Sequence, residues 1–417
     1  MSSPWTTSVK SLKPVGHVEP PSNTVVGSFG PPSLGRVSIA PADLFKSIAR
    51  CSALSRSSAS LVAAVVASSQ ALLEFLVDDA TSVIAFLDEV ADLADAERTA
   101  LSGRVGAGIT DQTMDMLGFV WRDLAEQLVS SSKPLADYVY EGATGTLVLA
   151  EAKGSISSAA AQSGANTRAR NAYRRQVDPY VFTRPPAPGG GASIGLIEHG
   201  YAVAFAALPG PAVAIPPTIG AGAFLAVAET DRSSGGSLPG GPSTSSGGTT
   251  SSSTGPAGSP ALNPTTAALR LGNYRAVFLL ANAPAVVETV DAALGRLPLE
   301  YRQQEFLQVQ CGGNEFLVGR TPVYPAISSL ESYLHGWVFA IALASAEAFL
   351  QQLANQSFVT GLPIQALVRA ASEKLPSFLL SPDGFAMLRR DAAMVTHDVT
   401  WDAKAGLSRR PIAHRAL

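Results

Sequence analysis

Apolar residues recur every three or four positions between residues 40 and 130, and this spacing predicts a series of amphipathic helices. The repeating positions are Leu44, Ile48, Leu54, Leu61, Val65, Leu72, Phe75, Ile84, Phe86, Leu87, Val90 and Leu93. Asp111 is predicted to cap a further helix that continues to Leu128. We therefore expect an N-terminal helical region over residues 39–111, preceded over residues 1–38 by a disordered arm rich in Pro, Gly and Ser.

The pattern changes after Pro134, where short apolar or alternating runs replace the helical spacing. The predicted elements are strands over 137–141 and 146–150, a polar, arginine-rich helix over 157–176, and strands over 194–207 and 223–229. Residues 112–231 thus follow the order helix, strand, strand, helix, strand. This order indicates an α/β (α+β) core built around a central mixed sheet.

A low-complexity segment over residues 232–264 divides the chain, because its Ser, Gly, Thr and Pro residues offer little that packs in a core. We expect a flexible linker there. Beyond it, the apolar pattern predicts a mainly helical C-terminal region over residues 265–417. Its predicted elements are helices over 267–294 with a break at Pro284, over 328–352 and over 363–374, and a β-hairpin of residues 305–310 and 315–319.

Composition and charge limit the classes of protein to which this chain can belong. It has 417 residues, of which 46% are hydrophobic and 15% charged, and a net charge of −3, so any contact with nucleic acid should be local. Cys51 and Cys311 are too few for a disulfide framework or a structural zinc site. Residues 1–21 lack the basic region and following apolar core that are typical of a secretion signal, and polar residues interrupt the apolar stretches over 61–77 and 333–353. We expect a cytoplasmic protein with buried helices and no membrane span.

Two acidic residues and a lysine form the candidate site. Glu151 and Lys153 end an apolar strand, and residues two apart on a strand project from the same face. Asp137, on the strand predicted to pair with it, can reach the same point. Two or three carboxylates suffice for Mg²⁺ or Mn²⁺, and a neighbouring lysine can orient a water for phosphodiester hydrolysis. Glu126 or Asp115, on the preceding predicted helix, is a candidate for a further acid.

This pattern resembles the PD-(D/E)xK nuclease superfamily over residues 112–230, about a quarter of the chain. The matching residues are Asp137 as the first acid, Glu151 as the second and Lys153 as the lysine. The resemblance implies a restriction-endonuclease-like fold in which the two acids bind Mg²⁺ and the lysine assists the attacking water. It also places a glutamine in the helix after the motif, where this chain has Gln162 and Gln176. The chain departs from the pattern at Ala136, where the family has proline.

The acid-x-lysine tripeptide is short enough to occur by chance. A second copy, Asp402-Ala403-Lys404, has no apolar strand before it, and we interpret it as a chance match. The first copy differs because an apolar strand precedes it, an acid lies upstream at strand spacing, and predicted helices flank it. Because of these surroundings, we take the first copy as the candidate site. The open alternative is a solvated strand end that carries an ordinary ion pair.

The helix that follows the motif carries a basic face. Its candidate nucleic-acid-binding residues are Arg168, Arg170, Tyr173, Arg174 and Arg175. Arginines can hold a phosphate backbone, and a tyrosine can stack on a base. An equally open interpretation is a solvated face, or a surface that docks on the acidic helical region containing residues 88–97.

Two functions follow from the sequence as hypotheses. The first is a Mg²⁺-dependent nuclease that acts on DNA rather than RNA, with Asp137, Glu151 and Glu126 as metal ligands and Lys153 positioning the water. The second is an inactive nuclease fold that serves as a binding or assembly module, with a protein partner or a second copy held through the helical regions. Convergence of Asp137, Glu151 and Lys153 in an open site would favour the first.

Overall fold

A computed structural model describes residues 4–19, 29–30, 36–55, 57–142, 145–157, 159–185, 195–209, 222–230, 264–298, 300, 302–320, 336–354 and 373–417. These residues form a mixed α/β fold with eight α-helices and three sheets. The helices are α1 (Pro41–Ala53), α2 (Ala59–Leu76), α3 (Asp95–Met116), α4 (Ala125–Leu128), α5 (Gln162–Ala172), α6 (Pro264–Leu280), α7 (Pro284–Ala293) and α8 (Leu343–Ala354). No helix in this described part of the chain combines the length and apolar character needed to cross a bilayer.

The strands fall into sheets of seven, eight and two. In chain order they are β1 (Lys10–Leu12), β2 (Pro14–Glu19), β3 (Phe29–Gly30), β4 (Val37–Ile39), β5 (Phe119–Leu124), β6 (Tyr138–Gly142), β7 (Leu147–Ile156), β8 (Ile197–Ala207), β9 (Ala223–Thr230), β10 (Gln303–Cys311), β11 (Asn314–Gly319), β12 (Trp337–Ala342), β13 (Glu373–Leu375), β14 (Phe378–Leu380), β15 (Phe385–Arg389), β16 (Met394–Asp402) and β17 (Gly406–Ala416). Strands β1 and β4 form the small sheet.

The seven-stranded sheet is mixed, as the sequence predicted, and its strand order is β3-β2-β9-β8-β7-β6-β5. Strands β5, β6 and β7 form an antiparallel meander, α5 follows, and β8 pairs parallel to β7. Helix α3 packs where a side chain at Gly154 would point. A side chain at Gly200 would meet Val177 instead, and Gly200 pairs with Leu149, whose side chain lies on the face opposite to that of residue 154. Helix α3 and the chain around Val177 therefore cover opposite faces of the sheet.

The structure corrects the predicted helix over residues 111–128. Helix α3 ends at Met116, and Gly118 has a positive φ of 89°, a conformation that breaks a helix and that glycine adopts at little cost. Strand β5 follows directly. Its residues are apolar and aromatic enough for a buried strand or a helix, and pairing with β6 selects the strand.

The prediction of a disordered arm over residues 1–38 is wrong for the residues that the structure describes there, because they contribute to strands β1 to β4. Strand β2 pairs parallel to β9 within the large mixed sheet. Trp5 is fully buried, and the buried Lys10 donates hydrogen bonds to the backbone carbonyls of Asp78 and Thr81 at 2.7 and 2.6 Å. Pairing with distant strands therefore orders a segment that has no periodicity of its own.

The C-terminal region is not mainly helical where it is described. Strands β10 to β17 form an eight-stranded antiparallel sheet in the order β13-β14-β15-β12-β11-β10-β16-β17. The predicted helix over residues 328–352 is wrong in its middle, where β12 precedes α8. The predicted hairpin is confirmed as β10 and β11, and the break at Pro284 as the start of α7. The predicted linker over 232–264 lies outside the described residues up to Pro264, and so does the predicted helix over 363–374 up to residue 372.

The seven- and eight-stranded sheets share one apolar core, to which both halves of the chain contribute. Helix α6 packs against β5 and β12 and so bridges the two sheets. Its Arg270 donates to both oxygens of the buried Glu141 on β6, at 2.9 and 2.6 Å, and stacks on the Trp121 ring at 4.1 Å.

A buried group of ions ties α1, α3 and β5 to the second sheet. Asp111 lies within α3, not at a helix start as predicted, and it pairs with Arg122 of β5 in the protein interior. Arg50 of α1 pairs with Asp383, in the turn between β14 and β15, at 3.2 Å. Because these groups are buried, each charge depends on its partner. Asp111 therefore has a structural role, which capping rules do not reveal.

Candidate functional site

Asp137, Glu151 and Lys153 meet where the chain enters β6, opposite the middle of β7. The antiparallel register pairs Tyr138 with Ala150, so Asp137 and Glu151 are the next two residues opposite each other. The backbone N–H of Asp137 donates to Glu151 Oε2 at 2.9 Å, and the N–H of Ala152 donates to Asp137 Oδ2 at 3.0 Å. Lys153 Nζ donates to Glu151 Oε1. The three predicted side chains are thus brought together, and each carboxylate is oriented by a backbone N–H of the neighbouring strand.

The site is closed on one side and open on the other. Glu151 is completely buried, whereas Asp137 is exposed and the Lys153 side chain is 38% exposed. Burial raises the pKa of Glu151 to about 7, and the charge of Asp137 acts in the same direction; the ion pair with Lys153 and the N–H of Asp137 oppose this shift. A buried carboxylate beside an exposed one is electrostatically suited to a cation.

The backbones of α3 and β7 approach each other closely directly after the candidate site. A Cβ at Gly154 would lie 1.7 Å from the carbonyl oxygen of Ser102, and one at Gly106 would lie 2.7 Å from Gly154 N. Only glycine at both positions permits this backbone contact. Because Gly154 directly follows Lys153, this contact fixes the position of the backbone from which the Lys153 side chain extends.

Residues beyond α5 hold the segment that leads into Asp137. The helix continues as a π-helical turn over Tyr173–Val177, in which the Gln176 side chain donates to the carbonyl of Leu135 at 3.1 Å. The Tyr180 hydroxyl contacts the carbonyls of Lys133 and Pro134 at 3.1 and 3.3 Å and also bonds to Ser131. The segment approaching the first acid is therefore fixed by side-chain hydrogen bonds from the helical segment that covers the Glu151 face of the sheet.

The two glutamines that the resemblance placed after the motif have different contacts in the structure. Gln162 donates to the carbonyl of Leu225 on β9 and to Asn166, away from the acid pair, whereas Gln176 holds Leu135. Sequence reasoning missed Tyr180 altogether. Its four-residue spacing from Gln176 was the available signal, because residues four apart on a helical segment lie on one face.

The further acids proposed from the sequence do not join the pair. Glu126 follows Ala125, whose N–H donates to the carbonyl of Asp137 at 3.0 Å, but its side chain is exposed on α4. Asp115 is engaged by Arg122 at 2.6 Å and Arg50 at 3.4 Å. Within the described residues, no three His, Cys, Asp or Glu side chains converge as metal ligands. The candidate centre is thus a pair of carboxylates.

The predicted basic face is only partly available. Tyr173 is fully buried, and its hydroxyl bonds to Thr230 Oγ1 at 2.7 Å, so it has no free ring face for stacking on a base. Arg168 and Arg175 are exposed, and Arg170 and Arg174 are partly buried. The exposed arginines lie on the helical segment whose buried side covers the Glu151 face of the sheet.

The second acid-x-lysine copy lies in a different setting. Asp402 ends β16, and its carboxylate accepts hydrogen bonds from the backbone N–H groups of Lys404 and Ala405 in the exposed turn to β17. A strand therefore does precede this copy, contrary to the sequence analysis, but the carboxylate of Asp402 is held by the turn that follows the strand.

Two carboxylates fit a divalent ion that retains several waters. Asp137 and Glu151 offer hard oxygen donors, the class that Mg²⁺ and Mn²⁺ prefer, and Asp137 faces solvent, where the remaining ligands would be waters or phosphate oxygens.

No family model, curated protein or solved structure matches this chain. The chemistry of the site is therefore inferred from its own residues.

Proposed function

We propose that this protein is a metal-dependent nuclease that hydrolyses phosphodiester bonds, in DNA rather than RNA. The observation that carries the proposal is the meeting of Asp137, Glu151 and Lys153 at one open point of the mixed sheet. Had Asp137 faced the core as Glu151 does, no room would have been left for a phosphate. The exposure of Asp137 and of part of Lys153 supports access to the site.

The order of the elements supports a restriction-endonuclease-like core, the fold that the resemblance implies. Helix α3 is followed by the meander β5-β6-β7, then by α5 and by β8 parallel to β7. Glu151 lies on β7 and Asp137 directly precedes β6, the two inner strands of this unit, and α3 and the segment after α5 cover its faces. Such a rigid sheet holds the acids at a fixed separation, as pre-organised metal ligands require.

Each residue of the site has a distinct role in the proposed reaction. Asp137 and Glu151 would hold Mg²⁺ or Mn²⁺, which supplies charge neutralisation at the phosphate and lowers the pKa of a bound water. Lys153 holds Oε1 of Glu151 and leaves part of its side chain exposed. From there its ammonium group can orient the attacking water and stabilise negative charge that develops on the phosphate. Arg168 and Arg175 would contact the backbone of the substrate.

A plasmid-nicking assay with Mg²⁺ or Mn²⁺ tests the proposal. We expect Lys153→Ala and Glu151→Gln to lower the nicking rate by on the order of 100-fold or more, as loss of a positioned catalytic group does. Lys404→Ala is the matched control, since it changes the lysine of the chance motif in an exposed turn. Thermal melts of all variants check folding. Equal rates in the wild type, Lys153→Ala and Glu151→Gln would reject the site, and parallel assays on RNA would decide the substrate.

The second candidate is an inactive nuclease fold that acts as a binding or assembly module, with a protein partner or another copy of the chain. One observation favours it: the protein itself supplies hydrogen-bond donors to both carboxylates, and among the described residues no third ligand joins them. The nicking assay discriminates between the two. A folded wild type without metal-dependent cleavage of either DNA or RNA would favour the module.

A further inference from the structure

Strand β17 forms an open edge of the eight-stranded sheet. It pairs antiparallel with β16 from Gly406, opposite Asp402, to Ala416, opposite Met394. Within the described residues, no strand pairs with its other side. Apart from Gly406, Leu407 and Ile412, its residues are exposed. An edge of eleven residues is long for a strand that has no neighbour on one side.

This edge is strongly basic in a chain whose net charge is −3. Residues 406–417 contain three arginines together with His414, and no Asp or Glu. The positive charge is thus concentrated in one short exposed segment. A local basic surface attracts polyanions even when the whole protein is slightly acidic.

Two of the arginines of β17 are free to bind a ligand. Arg409 is engaged by Glu347 of α8. Arg410 and Arg415 are exposed and, within the described part of the chain, have no acidic partner. Asp398, which pairs with Arg410 in the ladder, is engaged instead by Arg320 at 3.2 Å. The five N–H donors of each free guanidinium group therefore face solvent.

The backbone of this edge disfavours an added peptide strand. Pro411 has no N–H, and the pairing is irregular where it passes from His397 opposite Pro411 to Val395 opposite Arg415. An incoming strand needs a regular row of donors and acceptors. Side chains that contact phosphates do not need one, and arginine binds phosphate through two parallel hydrogen bonds.

We propose that the basic edge of β17 binds the phosphate backbone of a nucleic acid through Arg410 and Arg415. The choice of nucleic acid among polyanions rests on the proposed nuclease function. The edge lies on the eight-stranded sheet and the acid pair on the seven-stranded sheet, so the contact adds affinity without taking part in catalysis.

Fluorescence anisotropy tests this edge with the full chain, a labelled 30-base-pair DNA duplex as the probe, and EDTA to prevent cleavage. We expect the double variant Arg410→Ala/Arg415→Ala to bind roughly tenfold more weakly. Its plot of log K against log salt should be less steep by about 1.8, since each lost phosphate contact removes about 0.9 from the slope. The control Arg98→Ala/Arg389→Ala removes the same charge from arginines that Asp95 and Asp391 engage, and it should bind within about twofold of wild type.

The outcomes separate this proposal from that of nuclease activity. Loss of binding in the first variant alone supports the edge, even if the wild type does not nick DNA. Unchanged binding in that variant, or equal losses in the two double variants, would overturn it, whatever the nicking assay shows. Binding to poly-L-glutamate that depends on Arg410 and Arg415, without measurable DNA binding, would overturn it in favour of an acidic protein partner.

Discussion

Glu151 is the residue whose ionisation governs the candidate site. Its side chain is completely buried beside Asp137, and both the burial and the neighbouring charge favour the protonated form. Its pKa is raised to about 7 from an ordinary value of 4.5. The folded protein without metal therefore binds this proton more tightly than the unfolded chain does.

The raised pKa of Glu151 predicts how stability changes with pH in EDTA. The contribution of Glu151 is fully present below about pH 4.5 and is lost as the pH rises through about 7, because only the folded state resists deprotonation there. The shift corresponds to roughly 3 kcal/mol. Relative to Glu151→Gln, which cannot ionise, the wild type should lose about this much unfolding free energy between pH 4.5 and 8. Urea denaturation at a series of pH values measures the difference, and parallel profiles would contradict the prediction.

At the scale of elements, the π-helical turn over Tyr173–Val177 links the end of α5 to the first acid. The turn directs Gln176 across to Leu135, two residues before Asp137, and Tyr180 fixes the residues just upstream. A π-helical turn inside a helix is uncommon and is often found at functional sites. We infer that this element positions Asp137 without touching the substrate.

Removal of this hydrogen bond should affect turnover more than folding. We expect Gln176→Ala to lower kcat in the nicking assay roughly tenfold with little change in KM, because a small displacement of a reacting group is costly. The unfolding free energy should fall by only about 1 kcal/mol, the value of one hydrogen bond. Gln162→Ala is the control, since it removes a similar bond at 3.2 Å to Leu225, away from the acids. Equal kcat losses in both variants would indicate a general structural effect.

At the scale of the whole molecule, we expect the two large sheets to fold as one unit, because a single apolar core and buried ion pairs join them. Arg270 forms one of these buried ion pairs. It extends from α6 to Glu141 at the far end of β6, the strand that Asp137 precedes. Burial raises the pKa of Glu141 despite this partner, so the loss of Arg270 would leave an uncompensated buried acid.

The buried ion pair between Arg270 and Glu141 predicts a large loss of stability from a single substitution outside the mixed sheet. Arg270→Ala should lower the unfolding free energy by about 3–5 kcal/mol, as expected when one partner of a buried ion pair is removed. Arg302→Ala, which removes exposed pairs with Glu288 and Glu300, should cost less than about 1 kcal/mol. Urea denaturation followed by tryptophan fluorescence and circular dichroism compares them. Similar losses, or a loss confined to one of two separate transitions, would disprove a common folding unit.

Much of the candidate site followed from local sequence. The strand before Glu151, the two-residue spacing to Lys153 and the upstream Asp137 predicted which side chains meet, because strand geometry alternates with a fixed period of two. The hairpin of β10 and β11 was predictable for a similar reason: Gly312 and Gly313 supply the positive φ angles that its turn requires. At these positions the local sequence is sufficient to predict the local structure.

Tertiary structure decided the rest, wherever the outcome depends on a distant partner. The apolar residues of β5 suit a helix or a strand, and only pairing with β6 made them a strand. The N-terminal segment has no periodicity, yet it is ordered because β9 and a set of backbone carbonyls lie in reach. The burial of Tyr173, the raised pKa of Glu151 and the reach of Gln176 to Leu135 likewise depend on packing across the sheet. The sequence by itself determined which residues carry the proposed chemistry, because their spacing is local; the fold determined their exposure, charge and support, because those properties come from residues far away along the chain.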